Sequence, residues 1–171
     1  MTESASRVDV RRGTAADLPL LEPLWISVHH RHAEAMPELA PYVDDTTSWA
    51  QRSALYAELL AKPDTVLLLA WDSTDLIGYG LSHVMKAEAW MTDTWETGAR
   101  IGEIESLAVL PGYRGRGIGT RLLEELEREL DAAGVQDVVI GVLPGNTAAI
   151  RLYERRGFRP TWSYLSRFAG R

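Results

Sequence analysis

The densest run of chemistry in the chain is Leu107-Ala-Val-Leu-Pro-Gly-Tyr-Arg-Gly-Arg-Gly-Ile-Gly-Thr120. Gly115, Gly117 and Gly119 alternate there, Arg114 and Arg116 flank them, and an amphipathic stretch follows at once. Glycine has no Cβ to keep a ligand off the backbone. A helix starting here adds unpaired N–H donors and the positive end of its dipole. Such a turn binds an anion, most naturally a phosphate or pyrophosphate, with the arginines adding charge at its rim. A P-loop would need Gly-Lys-Ser/Thr before the helix, and no lysine lies between Met91 and Arg171. A dinucleotide fingerprint would need glycine at Thr120 or Leu122, and an acid at the end of the next strand, where Asp137 instead stands at its start. A plain tight turn accounts for one glycine, not for three in alternation beside arginines.

Just upstream, Glu103 and Glu105 lie two residues apart on the run leading into the loop, so one strand face carries both. Half-buried side by side they would have raised pKa values, which suits a proton acceptor near neutrality. The plainer alternative is a pair of solvated acids, or acids that attract a cationic substrate. His29, His30 and His32 suggest a metal cluster, yet only His29 and His32 share a helical face, and no Cys or carboxylate pattern completes a site. They are expected on a solvated helix face, with a lining role in an acceptor pocket as the alternative. His83 is expected to be a packed strand residue. Trp90, Met91 and Trp95 fall in a long connection, Ala89–Arg100, where the tryptophans either wall a pocket or pack at an interface.

The elements that must position these groups follow from periodicity and punctuation. Val8–Arg11 reads as a short strand, and Thr14-Ala-Ala-Asp17 as a capped helix start feeding the apolar face Leu18, Leu21, Leu24, Trp25, Val28. A second helix runs from about Thr46 to Leu60. Thr65–Trp71 and Leu76–Met85 form a hairpin about the turn Asp72-Ser-Thr-Asp75. Ile101–Leu110 is a strand, Gly117–Ala133 the strongest helix, and Gly134 its left-handed stop. Val135–Leu143 is a strand, Asn146–Arg156 a short helix, and Phe158–Phe168 a last strand or pair. Strands and helices do not alternate regularly, so a mixed α/β (α+β) sheet is expected.

The 171 residues suit one domain with a core that needs no covalent help. With no cysteine, disulfides, thiolate nucleophiles and thiolate-held metals are excluded. The net charge of −6 weighs against a nucleic-acid partner. No apolar run approaches the length of a membrane span, and MTESASRVDVRR lacks the apolar core of a signal peptide, so a cytoplasmic protein is expected. The excess of acids hints at a cationic or polyamine-like substrate.

Arg114-x-x-Gly117-x-Gly119, preceded by Leu-Ala-Val-x-Pro and followed by an amphipathic helix, resembles the signature of the GNAT superfamily of acyl-CoA-dependent N-acetyltransferases. Asn146-x-x-Ala149-x-x-Leu152-Tyr153-x-x-x-Gly157-Phe158 resembles the family's second conserved segment. The likeness covers Thr65 to Phe168, and residues 1–64 fit in outline only. It implies a mostly antiparallel, splayed sheet flanked by about four helices, in one domain over 1–171. Its variable acceptor-side helices would span about 14–61 and its acetyl-CoA-binding core about 65–168.

The resemblance further implies acetyl-CoA as co-substrate, with no metal. Its pyrophosphate would rest on the backbone of Arg114, Gly115, Arg116, Gly117, Ile118, Gly119 and Thr120. Its pantetheine arm would pair with the edge of Leu107, Ala108 and Val109 and meet the Asn146 amide; one of those strand N–H groups would polarise the thioester. Glu103 stands where several members place a general base, with Glu105 as the second candidate, and Tyr153 where they place a general acid. A core tyrosine tied to the backbone is the other reading of Tyr153. The implied reaction is direct attack by a primary amine of a small molecule or peptide in a ternary complex, in a homodimer built through the C-terminal strands. Some relatives that acetylate protein N-termini carry a Glu five residues before the helix Asn; here that position is Gly141, which weighs against that acceptor. A non-catalytic acyl-CoA-binding sensor or scaffold is the alternative, and a nicotinamide-dependent oxidoreductase would reveal itself by binding NAD and not CoA.

Overall fold

A computed structural model describes residues 8–90 and 94–169, so Met91 lies outside the described residues. Its centre is a sheet of five strands in spatial order β1-β2-β3-β4-β5. They are β1 (Asp9–Arg12), β2 (Val66–Asp72), β3 (Asp75–Lys86), β4 (Arg100–Val109) and β5 (Val138–Ile140). Neighbours are antiparallel except β4 and β5, which are parallel and pair only through Gly102–Ile104 and Val138–Ile140. Beyond Ile104 the two strands part, and the rest of β4 is paired on its β3 side alone.

Helices α1 (Glu22–Ala35) and α2 (Asp45–Leu60) cover one face, where Leu21, Leu24, Tyr56 and Leu59 pack on Leu67, Leu69, Tyr79 and Leu81. Helices α3 (Ile118–Ala132) and α4 (Thr147–Arg155) cover the other, where Leu122, Leu126 and Leu130 pack on Val66, Leu68 and Ile104. Three sheet glycines let α3 come close: a Cβ at Gly78 would meet Leu122 Cδ1 at 3.3 Å, one at Gly80 Leu126 Cδ1 at 2.8 Å, and one at Gly102 Leu130 Cδ1 at 2.8 Å.

Three expectations change. The helix expected from Thr14 is divided: Thr14 caps it and Asp17 closes the capping box, but Ala15–Leu21 is a 3-10 turn and the α-helix begins at Glu22. Pro19 and Pro23 lack the N–H groups a continuous α-helix would need there. The strand expected over Val135–Leu143 shrinks to Val138–Ile140, because the chain then turns away from β4 and loses its ladder partner. Phe158–Phe168 forms no strand: it carries Pro160 and follows an edge strand of three residues. Among the described residues no helix is long and apolar enough to cross a membrane.

Candidate active site

Where β4 and β5 part, a cleft of about 650 Å³ opens between the helix layers. It takes in Glu103 and Glu105, the strand Leu107–Val109, then Arg114, Gly115 and Gly117–Thr120, with Asn146 and Tyr153 from the other wall. Of the acetyl-CoA-binding and proton-transfer residues expected from sequence, Arg116 alone stays out of the lining; its guanidinium lies over the Tyr113 ring, 5.1 Å from the centroid.

The glycine loop is built as the sequence requires. Gly115 and Gly117 have φ of 75° and 79°, and a Cβ at either would point into open space. Gly117 is the N-cap of α3 and offers no side-chain cap, whereas Asp44 and Asn146 cap α2 and α4. Arg121 is the first residue of α3 to donate backward, to Gly117 O at 3.0 Å. Among the described residues the N–H groups of 115–120 have no backbone partner, which leaves donors available to an anion where the loop borders the cleft. Arg114 is fixed beside them by bonds to Val109 O (3.0 Å) and Ser27 Oγ (3.1 Å). Partial burial, with Arg31 nearby, lowers its pKa against the opposing charge of Glu34.

The second feature is a register shift that sequence reading missed. Ser82 pairs with Ile104 but Leu81 pairs with Ser106, so Glu105 is an extra residue, a bulge in β4. Alternation therefore breaks, and Glu105 and Ser106 both turn to the α1/α2 side. Ser106 accepts a bond from Tyr56 Oη, and that hydroxyl also lies 2.9 Å from Tyr79 Oη. Glu105 meets Arg52 Nη1 at 2.5 Å, and the guanidinium stacks 4.0 Å over Trp25. His83, directly opposite Glu103, places Nε2 3.2 Å from Glu103 and 3.8 Å from Glu105.

These contacts correct the expected acid pair. Burial alone would raise Glu105, but the His83 imidazole 3.8 Å away and the Arg52 guanidinium outweigh that and hold it below the usual carboxylate range. The carboxylates of Glu103, at 3.2 Å, and Glu105, at 3.8 Å, raise His83 to about 9, against the lowering effect of burial. His83 is thus an ion-pair member and not simply a packed residue.

Tyr153 is buried with its ring 6.0 Å from Phe158, and burial pushes its hydroxyl up to about 12. That hydroxyl has no hydrogen-bond partner among the described residues, unlike a core tyrosine tied to the backbone. Asn146 Oδ1 caps α4 through Ala149 N at 3.4 Å, leaving its amide NH2 for the cleft.

The histidines separate. His30 is exposed, as expected of a solvated face, and pairs with Asp45 at 2.9 Å, but His29 is buried, with Nε2 2.8 Å from Val43 O. His32 alone of these lines the cleft, its pKa lowered by burial and by Arg52. Trp90 and Trp95 stand elsewhere, edge to face with centroids 5.8 Å apart, with Trp162 5.9 Å from Trp95. Arg52 and Trp25 were missed in sequence because nothing local marks a partner 53 residues away.

The sequence profile of the Acetyltransferase (GNAT) family matches residues 25–158. An IAA acetyltransferase of Azospirillum brasilense is 30% identical over 125 residues, covering 73% of this chain and 74% of that protein. A mycothiol acetyltransferase of Corynebacterium glutamicum is 25% identical over 144 residues, 84% of this chain but only 43% of that protein. In fold, an aminoglycoside N-acetyltransferase solved in complex with CoA superposes with a TM-score of 0.69 at 18% identity, over 99% of both chains.

Proposed function

We propose, from the premise that this chain belongs to the GNAT family of acetyltransferases, that its cleft carries acetyl from acetyl-CoA to a primary amine. One observation carries the reading: the uncapped start of α3 and the one-sided edge of β4 open into the same cleft. A pyrophosphate fits the N–H groups of residues 115–120 beside Arg114, and an amide-bearing arm fits the free backbone of Leu107–Val109 as an added strand. The Asn146 NH2 reaches the same arm. Once bound, acetyl-CoA supplies a thioester carbon open to attack.

The remaining chemistry belongs to side chains. An alkylammonium titrates near pH 10 and must lose its proton before its nitrogen can attack. We assign that proton to Glu103, directly or through water. Its side chain is 33% exposed against 17% for Glu105, and of the two only Glu105 is gripped by Arg52. Tyr153 keeps its proton at neutral pH and donates a hydrogen bond to the departing thiolate, an effect worth about 10-fold to 100-fold. Because Arg52 and His83 balance the two carboxylates, an acceptor with one positive charge suits this site better than a polyamine.

We further infer that the protein works in the cytoplasm, where acetyl-CoA is at hand, and as a homodimer through residues 158–169. That segment exposes Trp162, Tyr164 and Leu165 by 48%, 81% and 99%. Calorimetry with acetyl-CoA tests the main reading. The wild type should bind and Gly117→Trp, whose indole fills the nest, should not; a wild type that fails to bind overturns it.

A further inference from the structure

Four charged side chains from three elements meet below the acceptor side of the cleft. His83 comes from β3, Glu103 and Glu105 from β4, and Arg52 from α2. The bulge brings Glu105 within 3.8 Å of the same imidazole nitrogen that lies 3.2 Å from Glu103. Glu105 is gripped from its far side by Arg52 at 2.5 Å. From α2 and β3, the other titratable groups near this cluster are the buried hydroxyls of Tyr56 and Tyr79, tied to each other and to Ser106. The His83 side chain is 12% exposed and does not line the cleft, so it meets neither the thioester nor the amine.

We propose that His83 is the positioning residue of this site: an imidazolium seated beneath Glu103 and Glu105 that keeps both carboxylates ionised and holds Glu103 toward the acceptor nitrogen. Two carboxylates on one strand face disfavour each other's charge, and without a cation between them the pair takes up its proton at a higher pH. A protonated Glu103 could no longer receive the proton of the amine. Arg52 alone cannot do this work, because it reaches Glu105 only. The three ligand-type groups also lie within 4.8 Å of one another, as a divalent metal would require. Two positive charges already stand against those carboxylates, and a metal would have to strip the proton from His83 and displace Arg52.

The catalytic meaning of this role rests on the acetyl-transfer reading, whereas the charge arrangement does not. NMR titration of the histidine and glutamate side chains in the full chain tests it, using wild type, Glu103→Gln, His83→Gln and His83→Lys. The chain has only four histidines, so His83 can be followed singly. In the wild type it should titrate near 9, above the other three. Glu103→Gln should bring it down by about one pH unit. His83→Gln keeps an N–H donor but loses the charge, and the Glu105 carboxyl should then titrate about one pH unit higher, while His83→Lys restores it. For an acceptor found in a panel of monoamines, His83→Gln should lower kcat/KM about tenfold with the KM for acetyl-CoA unchanged.

A wild-type His83 titrating near 6.5, a Glu105 indifferent to His83→Gln, or an unchanged kcat/KM overturns the proposal. A wild type that binds no acetyl-CoA, or acetylates no amine of the panel, sinks the acetyl-transfer reading; the titrations still decide whether the imidazolium holds the carboxylates.

Discussion

The two faces of the sheet are held together by different means. On the α3 face, Leu122, Leu126 and Leu130 stand four residues apart and lie over Gly78, Gly80 and Gly102. Shape and apolar area do the work there. On the α1/α2 face a polar layer lies beside the apolar contacts, with the Tyr56, Tyr79 and Ser106 hydroxyls next to the ion pairs of His83, Glu103, Glu105 and Arg52. The first face tolerates no lost volume and the second no lost partner. The proposed chemistry lies on the second, where a bulge spends strand regularity to turn two consecutive polar side chains the same way.

The contrast is broken most strongly by a cavity. Leu126 is fully buried, so Leu126→Ala should cost about 3–5 kcal/mol in denaturant unfolding. Titration of His83 and Glu105 should not change, since the sheet lies between. A loss under about 1 kcal/mol would mean that the α3 face is not close-packed.

A smaller and qualitatively different effect belongs to the polar face. Tyr56→Phe removes almost no volume but strips a partner from Tyr79 and Ser106, both buried. The expected cost is about 1–3 kcal/mol, because a buried group left unpaired carries its desolvation penalty. Removing both phenol hydroxyls, in Tyr56→Phe with Tyr79→Phe, should cost less than the sum of the single changes. Strict additivity in that cycle would show that the hydroxyls do not act as a unit.

The same division decides what could be read from sequence. The α3 face was legible because its signal is local: a 3.6-residue period, a glycine stop at Gly134, and a loop with Gly115 and Gly117 where positive φ is needed. That loop and Asn146 also carry the family likeness, so most of the proposed cofactor side is legible in the sequence. The acceptor side was not. Glu103 and Glu105 were seen, but their charge state depends on His83 across the ladder and on Arg52 from another layer, 53 residues from Glu105. The C-terminal strand failed for a related reason: an apolar, aromatic run specifies a strand only where a sheet edge is there to receive it.

The smallest effect is also the most diagnostic, because only the polar face titrates in this way. His83 is raised from 6.5 to about 9 by the carboxylates of Glu103 and Glu105. The folded protein therefore holds a proton that the unfolded chain releases earlier, and the ion pair favours the fold. That contribution is fully present below pH 6.5 and is lost as pH rises through about 9. Glu105, held low, works in the opposite direction and loses its contribution only under acid, well outside this window. Unfolding free energy should thus decline between pH 6.5 and 9 by about 1 kcal/mol, once solvent screening is allowed for. In His83→Gln this decline should vanish, while Leu126→Ala should keep it beneath its larger loss. A decline that survives in His83→Gln would assign the proton to another group and leave the two carboxylates without their shared cation.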